Sequence, residues 1–129
     1  MNIAKKALKN FKPGDLIIID NVPCRVEDVR TTVSGKHGAA KTRIEAIGLF
    51  DNRRRSIIGS SDDEAEVPMI KRKKAQVLSI INNIAQLMDL ETYEQIEIEI
   101  PEEKKDKIKE GEEIYYYEIM GIKTLKDLK

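Results

Sequence analysis

The sequence predicts an all-β fold made of two small barrels in tandem. Apolar residues alternate with polar ones in short runs from one end of the chain to the other, the pattern of half-buried strands. Gly, Pro and Asn clusters punctuate these runs as turns do. At 129 residues the chain has room for one domain, or for two of about 60 residues near the lower limit for an independent core. The strand spacings fit two barrels better than one sandwich.

The first dozen residues are open between three forms: Ile3, Ala7, Leu8 and Phe11 line a helix face, or the segment is an edge strand or an arm. Pro13-Gly14 turns the chain into Leu16-Ile17-Ile18-Ile19, and Asn21-Val22-Pro23 turns it into a strand over 24–29. There Cys24 and Val26 alternate with Arg25 and Glu27. A strand over 42–50 follows, with Gly48 expected as its bulge, and Asp51-Asn52 leads into a strand over 53–58. Gly59-Ser60-Ser61 and the acidic run at 62–66 read as loop. Val67-Pro68-Met69-Ile70 resumes extended chain, because proline biases its predecessor away from helix. The boundary is expected near residues 68–74, giving domains 1–70 and 71–129. In the second domain 75–81, 85–90 and 92–100 read as strands. In the last of these Ile96, Ile98 and Ile100 face one way and Glu97 and Glu99 the other. The charged segment 102–109 suits one or two helical turns or a solvated loop. Gly111 leads into a strand over 113–119, where Tyr115 and Tyr117 share a face with Ile119. Tyr93, Tyr115 and Tyr117 are expected to pack within the barrel rather than to form a stacking platform.

Acids and bases balance at 23 each, yet their order along the chain is strongly patterned. Residues 1–61 hold 12 Lys/Arg and 6 Asp/Glu, whereas residues 75–129 hold 7 bases and 13 acids. Between them lie the acidic run at 62–66 and the basic run Lys71-Arg72-Lys73-Lys74. The front half is equipped to meet a polyanion, and the back half to be repelled by one. A single cysteine, Cys24, excludes an internal disulfide framework and suits a reducing compartment. No stretch has secretory or membrane-spanning length, so a cytoplasmic protein without a membrane partner is expected.

One stretch stands apart. Ser34-Gly35-Lys36-His37-Gly38-Ala39-Ala40-Lys41 lies near the tip of the long hairpin between strands 24–29 and 42–50. Gly35 and Gly38 let the chain turn tightly and leave Lys36 projecting. From Arg30 to Arg43 there are four Lys/Arg, one His and no acid. Small residues keep the finger slim, which suits insertion against phosphates.

Catalytic readings of these residues fail. The G-x-x-x-x-G-K-[ST] pattern of a phosphate loop is absent, since Arg30 stands five before Gly35 and His37 follows the lysine. One histidine and one cysteine do not make a usual zinc site. A Cys24/His37 nucleophile pair conflicts with the core-like alternation around Cys24. A Schiff-base lysine needs a desolvated pocket, the opposite of a loop tip. No catalytic residue, bound cofactor or metal is expected.

SGKHGAAK resembles the hypusine loop of the archaeal and eukaryotic translation initiation factor 5A family, relatives of bacterial elongation factor P. LIIIDNVPCRVEDV, AKTRIEAIGLFDNRRRS and AQLMDLETYE resemble other segments of that family. The likeness runs from about Phe11 to about Pro101, in order and with matching spacing. Eukaryotic members usually carry a second histidine where Ala39 stands, so the loop is archaeal in character and hydroxylation stays open.

The resemblance implies an SH3-like N-terminal barrel carrying the hypusine loop at about 31–41, and a C-terminal OB-fold. It implies that Lys36 receives a 4-aminobutyl group from spermidine through deoxyhypusine synthase. Ser34, Gly35, His37, Gly38 and Lys41 form the rest of the modification loop. Its implied partners are the ribosome, through rRNA and peptidyl-tRNA, and its implied activity is promotion of peptide-bond formation where elongation stalls. Lys36, His37, Arg30, Lys41 and Arg43 then meet RNA, although His37 serves equally well as a brace. Arg53, Arg54 and Arg55 read either as a second RNA contact or as a solvated strand end. A monomer is expected. The competing reading is a general RNA- or single-strand-binding protein that acts without modification.

Overall fold

Apolar residues two apart at 17 and 19, 24 and 26, and 44 and 46 fall on one face of their strands, and burying those faces together closes the first barrel. The computed structural model describes residues 3–33 and 40–128. The first unit, Met1–Met69, contains β1 (Ile3–Ala7), β2 (Leu16–Ile19), β3 (Val22–Val33), β4 (Ala40–Gly48), β5 (Arg54–Ser60) and β6 (Glu64–Pro68). β2 to β5 form an antiparallel four-stranded meander, and β1 pairs with β6 in a two-stranded ribbon. Ile17, Ile19, Cys24, Val26, Ile44 and Ala46 meet Leu8 and Phe11 in one apolar core. This is the SH3-like barrel.

The N-terminal segment is a strand followed by a 3-10 turn over Leu8–Asn10. The acidic run expected as loop is mostly strand, because the ribbon gives its carboxylates cationic neighbours. Lys5 lies opposite Glu66, and Lys9 pairs with Asp62 at 2.8 Å. The turn shrinks to residues 61–63.

The bulge is not at Gly48, which stays in register opposite Cys24. The shift falls in β3 between Val26 and Asp28, leaving Glu27 as the extra residue. Gly48 is required for a different reason. A Cβ there would stand 2.0 Å from Asp51 Oδ1 and 2.8 Å from Arg55 Nη1. Asp51 fills that space while it accepts two bonds from the Arg55 guanidinium, at 3.1 and 2.9 Å, and one from the Arg53 backbone N–H at 3.0 Å. The Arg55 bonds, then the Arg53 amide, lower the Asp51 carboxyl to about 2. Gly48→Ala should therefore displace Asp51 and cost about 1–3 kcal/mol, the usual scale of overpacking. A urea titration reads this as a lower midpoint, and an unchanged midpoint would mean that Asp51 moves aside freely.

The second unit, Ile70–Lys129, contains β7 (Ile70–Ile81), β8 (Ile84–Asp89), β9 (Gln95–Glu99), β10 (Glu113–Ile119) and β11 (Ile122–Thr124). They form one antiparallel sheet in the order β11-β10-β7-β8-β9, curled into a nearly closed barrel, the OB-fold. Its core holds Ala75, Val77, Ala85, Leu87, Ile98, Ile100 and Tyr116. A single 3-10 turn, Glu102–Lys104, lies in the charged segment between β9 and β10.

Two expectations change here. β9 starts later than residue 92 because the Asp89 carboxylate shapes the preceding turn, accepting the N–H of Glu91 at 2.7 Å and of Thr92 at 3.0 Å. Tyr93 in that turn takes a left-handed φ of 63°. The tyrosines also sort differently. The inward phase of β10 is Ile114 and Tyr116, so Tyr116 is 1% exposed whereas Tyr115 is 46% and Tyr93 71% exposed. The basic run 71–74 lies inside β7, and strand alternation parts its charges. Lys73 approaches Glu118 at 3.7 Å and Lys74 approaches Glu113 at 3.2 Å. Among the described residues no helix is long and apolar enough to cross a membrane.

Candidate nucleic-acid interface

The β3–β4 hairpin is the longest in the first unit, and its last register pair is Val33 opposite Ala40. Ser34, Gly35, Lys36, His37 and Gly38 belong to the six-residue link 34–39 between those strand ends and lie outside the described residues. The sites the structure does describe are the stem that carries this link and the arginines farther down the sheet.

The stem is anchored on one side and bare on the other. Thr42 is fully buried. Its hydroxyl lies 2.9 Å from that of Thr31, its cross-strand partner, and 2.8 Å from that of Ser61. This chain of three hydroxyls ties β3, β4 and the end of β5 together below the tip. β5 extends the support, since Ser60 and Gly59 lie opposite Lys41 and Thr42. Arg30, Thr32 and Val33 are exposed, Val33 to 68%. The last turn of the stem is held in place from behind while its open face stays accessible.

Charge on that face is more balanced than the sequence window 30–43 suggests. Arg30 lies directly opposite Arg43, a like-charge pairing that costs stability when uncompensated. Strand alternation supplies the compensation. Asp28 accepts from Arg30 Nε at 2.9 Å, and Glu45 accepts from Arg43 Nε at 2.8 Å. The four side chains line a cleft of about 290 Å³. Both acids sit two residues outside the window, on the same strand face as their partners, so the missed signal was an Asp-x-Arg and Arg-x-Glu spacing. Lys41 is exposed, with only Thr32 and Ser60 as register partners. Its charge meets no carboxylate across either strand.

The three consecutive arginines do not form one patch. Arg54 Nη1 pairs with Glu27 Oε1 at 3.0 Å on the exposed face. Arg55 turns to the other face, opposite Ala46, and its guanidinium is committed to Asp51. Arg53 is exposed ahead of the strand. Arg54 is opposite Ile47, seven residues along β4 from Ala40, or roughly 23 Å at about 3.3 Å per residue. Arg53 and Arg54 therefore stand at the far end of the sheet from the tip, with Arg55 serving as an internal strut.

Cys24 is fully buried, and its thiol donates to the Val22 carbonyl at 3.3 Å. Burial pushes the thiol up from its ordinary pKa, against the opposing pull of Arg55. That is the environment of a packing cysteine, not of an activated nucleophile. Among the described residues no group of three or more His, Cys, Asp or Glu converges as metal ligands do.

Comparison with known proteins supplies the remaining observations. The family model described as translation initiation factor 5A-like, N-terminal, matches residues 4–63. The translation initiation factor 5A of Methanococcoides burtonii is 51% identical over 114 residues, spanning 88% of this chain and 90% of that protein. A solved structure described as eukaryotic translation initiation factor 5A from Methanococcus jannaschii superposes with a TM-score of 0.83 at 36% identity, covering 95% of this chain and 91% of that one. A family protein from Naegleria fowleri shares the fold, with a TM-score of 0.74 at 24% identity and 98% coverage of both chains.

Proposed function

This chain belongs to the translation initiation factor 5A family, and on that premise we propose that it acts on the ribosome through an aminobutylated Lys36 to promote peptide-bond formation at stalled peptidyl-tRNA. The observation that carries this reading is the hairpin stem. It is anchored from behind by Thr31, Thr42 and Ser61, it is bare on its open face, and it leads into the glycine-flanked Lys36. Deoxyhypusine synthase would transfer the 4-aminobutyl group of spermidine to the lysine amine, forming a new C–N bond as the old one breaks and 1,3-diaminopropane leaves. The product is a thin side chain with two cationic nitrogens, long enough to touch backbone phosphates and 2′-hydroxyls that the barrel itself is too wide to approach.

The factor performs no bond chemistry in this reading. It orients the acceptor end of peptidyl-tRNA, and orientation alone lowers a barrier substantially. Lys41 adds an uncompensated charge beside the tip. Arg30 and Arg43 offer Nη donors to phosphate while their Nε groups stay bound to Asp28 and Glu45. Arg53 and Arg54, at the opposite end of the sheet, suit a separate stretch of RNA backbone. The working compartment is the cytoplasm, where ribosomes, tRNA and polyamine meet.

Peptide mapping of protein purified from its native host tests the reading. The peptide containing Lys36 should carry the mass of an added aminobutyl group, with or without a hydroxyl. A bare Lys36 in the ribosome-associated fraction would favour an RNA-binding protein that works unmodified.

A further inference from the structure

We propose that the exposed face of β7 and β10 in the OB-fold, with the cleft beside it, is a second RNA contact that takes one unpaired nucleotide, its base against Tyr115 and Tyr117 and its phosphate against Lys107 and Arg72. The site is built wholly from residues of the second unit and does not depend on the modification.

Register brings the chemistry together. Tyr117 lies opposite Arg72 and Tyr115 opposite Lys74, so two aromatic rings and two cations share one face of adjacent strands. The Arg72 guanidinium sits 4.3 Å from the Tyr115 ring centroid, which fixes the ring without enclosing it. Beside the tyrosines opens a cleft of about 320 Å³, with buried Ile108 and Leu125 below and Lys104 and Lys107 at its edge. Arg72 is not among the residues lining the cleft, so an occupant reaches the rings without displacing the guanidinium. That volume lies at the small end of ligand pockets, about 300 Å³ and upward. It suits a single base rather than a duplex.

Charge selects the occupant. The second unit is acidic, and several of its cations are committed to carboxylates: Lys73 and Lys74 to Glu118 and Glu113, Lys104 to Asp127, Lys105 to Glu102 and Lys123 to Glu94. Lys107 and Arg72 make no ion pair among the described residues, and both border the tyrosine face. A long phosphate array would be repelled by the rest of the barrel. One nucleotide is not, and stacking on tyrosine adds affinity regardless of base identity. An acidic peptide would satisfy the two cations but leave the rings unused.

The test uses the full chain with Lys36→Ala, so that the tip makes no modified contact and failure here is separable from failure of the proposed function. Binding of a single-stranded uridine hexanucleotide is compared at low salt with an abasic ribose-phosphate chain of equal charge. The hexanucleotide should bind several-fold tighter. Tyr115→Ala with Tyr117→Ala should weaken it by about 10-fold, the scale of a lost base–aromatic stack, while the double Phe variant should retain it. Lys107→Gln should reduce the slope of log affinity against log salt by about 0.7. Photocrosslinks should fall on β10. Equal binding of the abasic chain, indifference to the double alanine variant, equal competition by polyglutamate, or crosslinks confined to residues 30–43 would each overturn the assignment. Unchanged melting of the double alanine variant separates lost stacking from lost folding.

Discussion

Lys36→Ala should reduce the rate of peptide-bond formation on ribosomes stalled at consecutive prolines to the level seen without factor, a loss of about 100-fold or more. A contribution made wholly by positioning disappears when the positioning group is removed, and displacements of about 1 Å already cost on the order of 100-fold. Lys36→Arg is the sharper variant. Arginine keeps the charge and nearly the length of unmodified lysine, but its guanidinium cannot accept the aminobutyl group, so this variant should be almost as inactive as alanine. Both proteins should melt like the parent, because a lysine set between two glycines in a link between strands reads from the sequence as a surface position, where a substitution stays within about 0.5 kcal/mol. Single-turnover peptide synthesis with modified parent, Lys36→Ala and Lys36→Arg decides the matter. Full activity of the arginine variant would show that charge alone suffices and that the aminobutyl arm is dispensable.

The second large effect concerns stability. Asp89 is 1% exposed at the end of β8. One carboxylate oxygen accepts from the Tyr116 hydroxyl at 2.5 Å, and the other accepts from the backbone N–H of Glu91 and Thr92. One ionised side chain thus joins the core tyrosine of β10 to the turn that starts β9. Asp89→Ala should cost about 3–5 kcal/mol, since it strands a buried hydroxyl and two amides and removes charge-assisted bonds. Adding Tyr116→Phe should cost less than the separate changes combined, because the two side chains share one interaction. Urea unfolding of the second unit reads both.

The same network makes an acid prediction. The Tyr116 bond, followed by the Thr92 amide, holds the Asp89 carboxyl down to about 2. An unfolded aspartate titrates near 3.9. Below that value the unfolded chain takes up the proton more readily than the folded one. Asp89 therefore contributes its full stabilisation above about pH 4, and the contribution drains away as pH falls towards 2. Asp89→Ala should flatten this part of the stability–pH curve, and an unaltered acid limb would refute the assignment. On the alkaline side, burial and then the Asp89 bond push the Tyr116 hydroxyl above its ordinary value, so the pair stays in its working protonation state throughout the neutral range.

Much of this was legible in the residues alone. Alternation at 24–26, 44–46 and 96–100 marked strands that the structure contains, and the glycine-flanked Lys36 belongs to the link between two of them, outside the described residues. Four ordered segments carried the family resemblance. What stayed hidden was phase and partnership. IYYYEI alternates in either sense, and only the pairing of β10 with β7 decides that Tyr116 goes inward while Tyr115 and Tyr117 go outward. The acidic run at 62–66 looks like loop until β1 lies beside it with Lys5 opposite Glu66. Strand alternation puts Asp28 beside Arg30 and Glu45 beside Arg43, so an apparently acid-free segment is in fact partly neutralised from two residues away. Local sequence determines that a chain will form strands, where they turn and what chemistry the tip carries, because backbone preferences and side-chain periodicity act over a few residues. Which face is buried, which charges meet and which tyrosine is held in the core were decided only in three dimensions, because those outcomes depend on register between strands as distant in sequence as those that place Ile3 opposite Pro68 and Ile119 opposite Ile70.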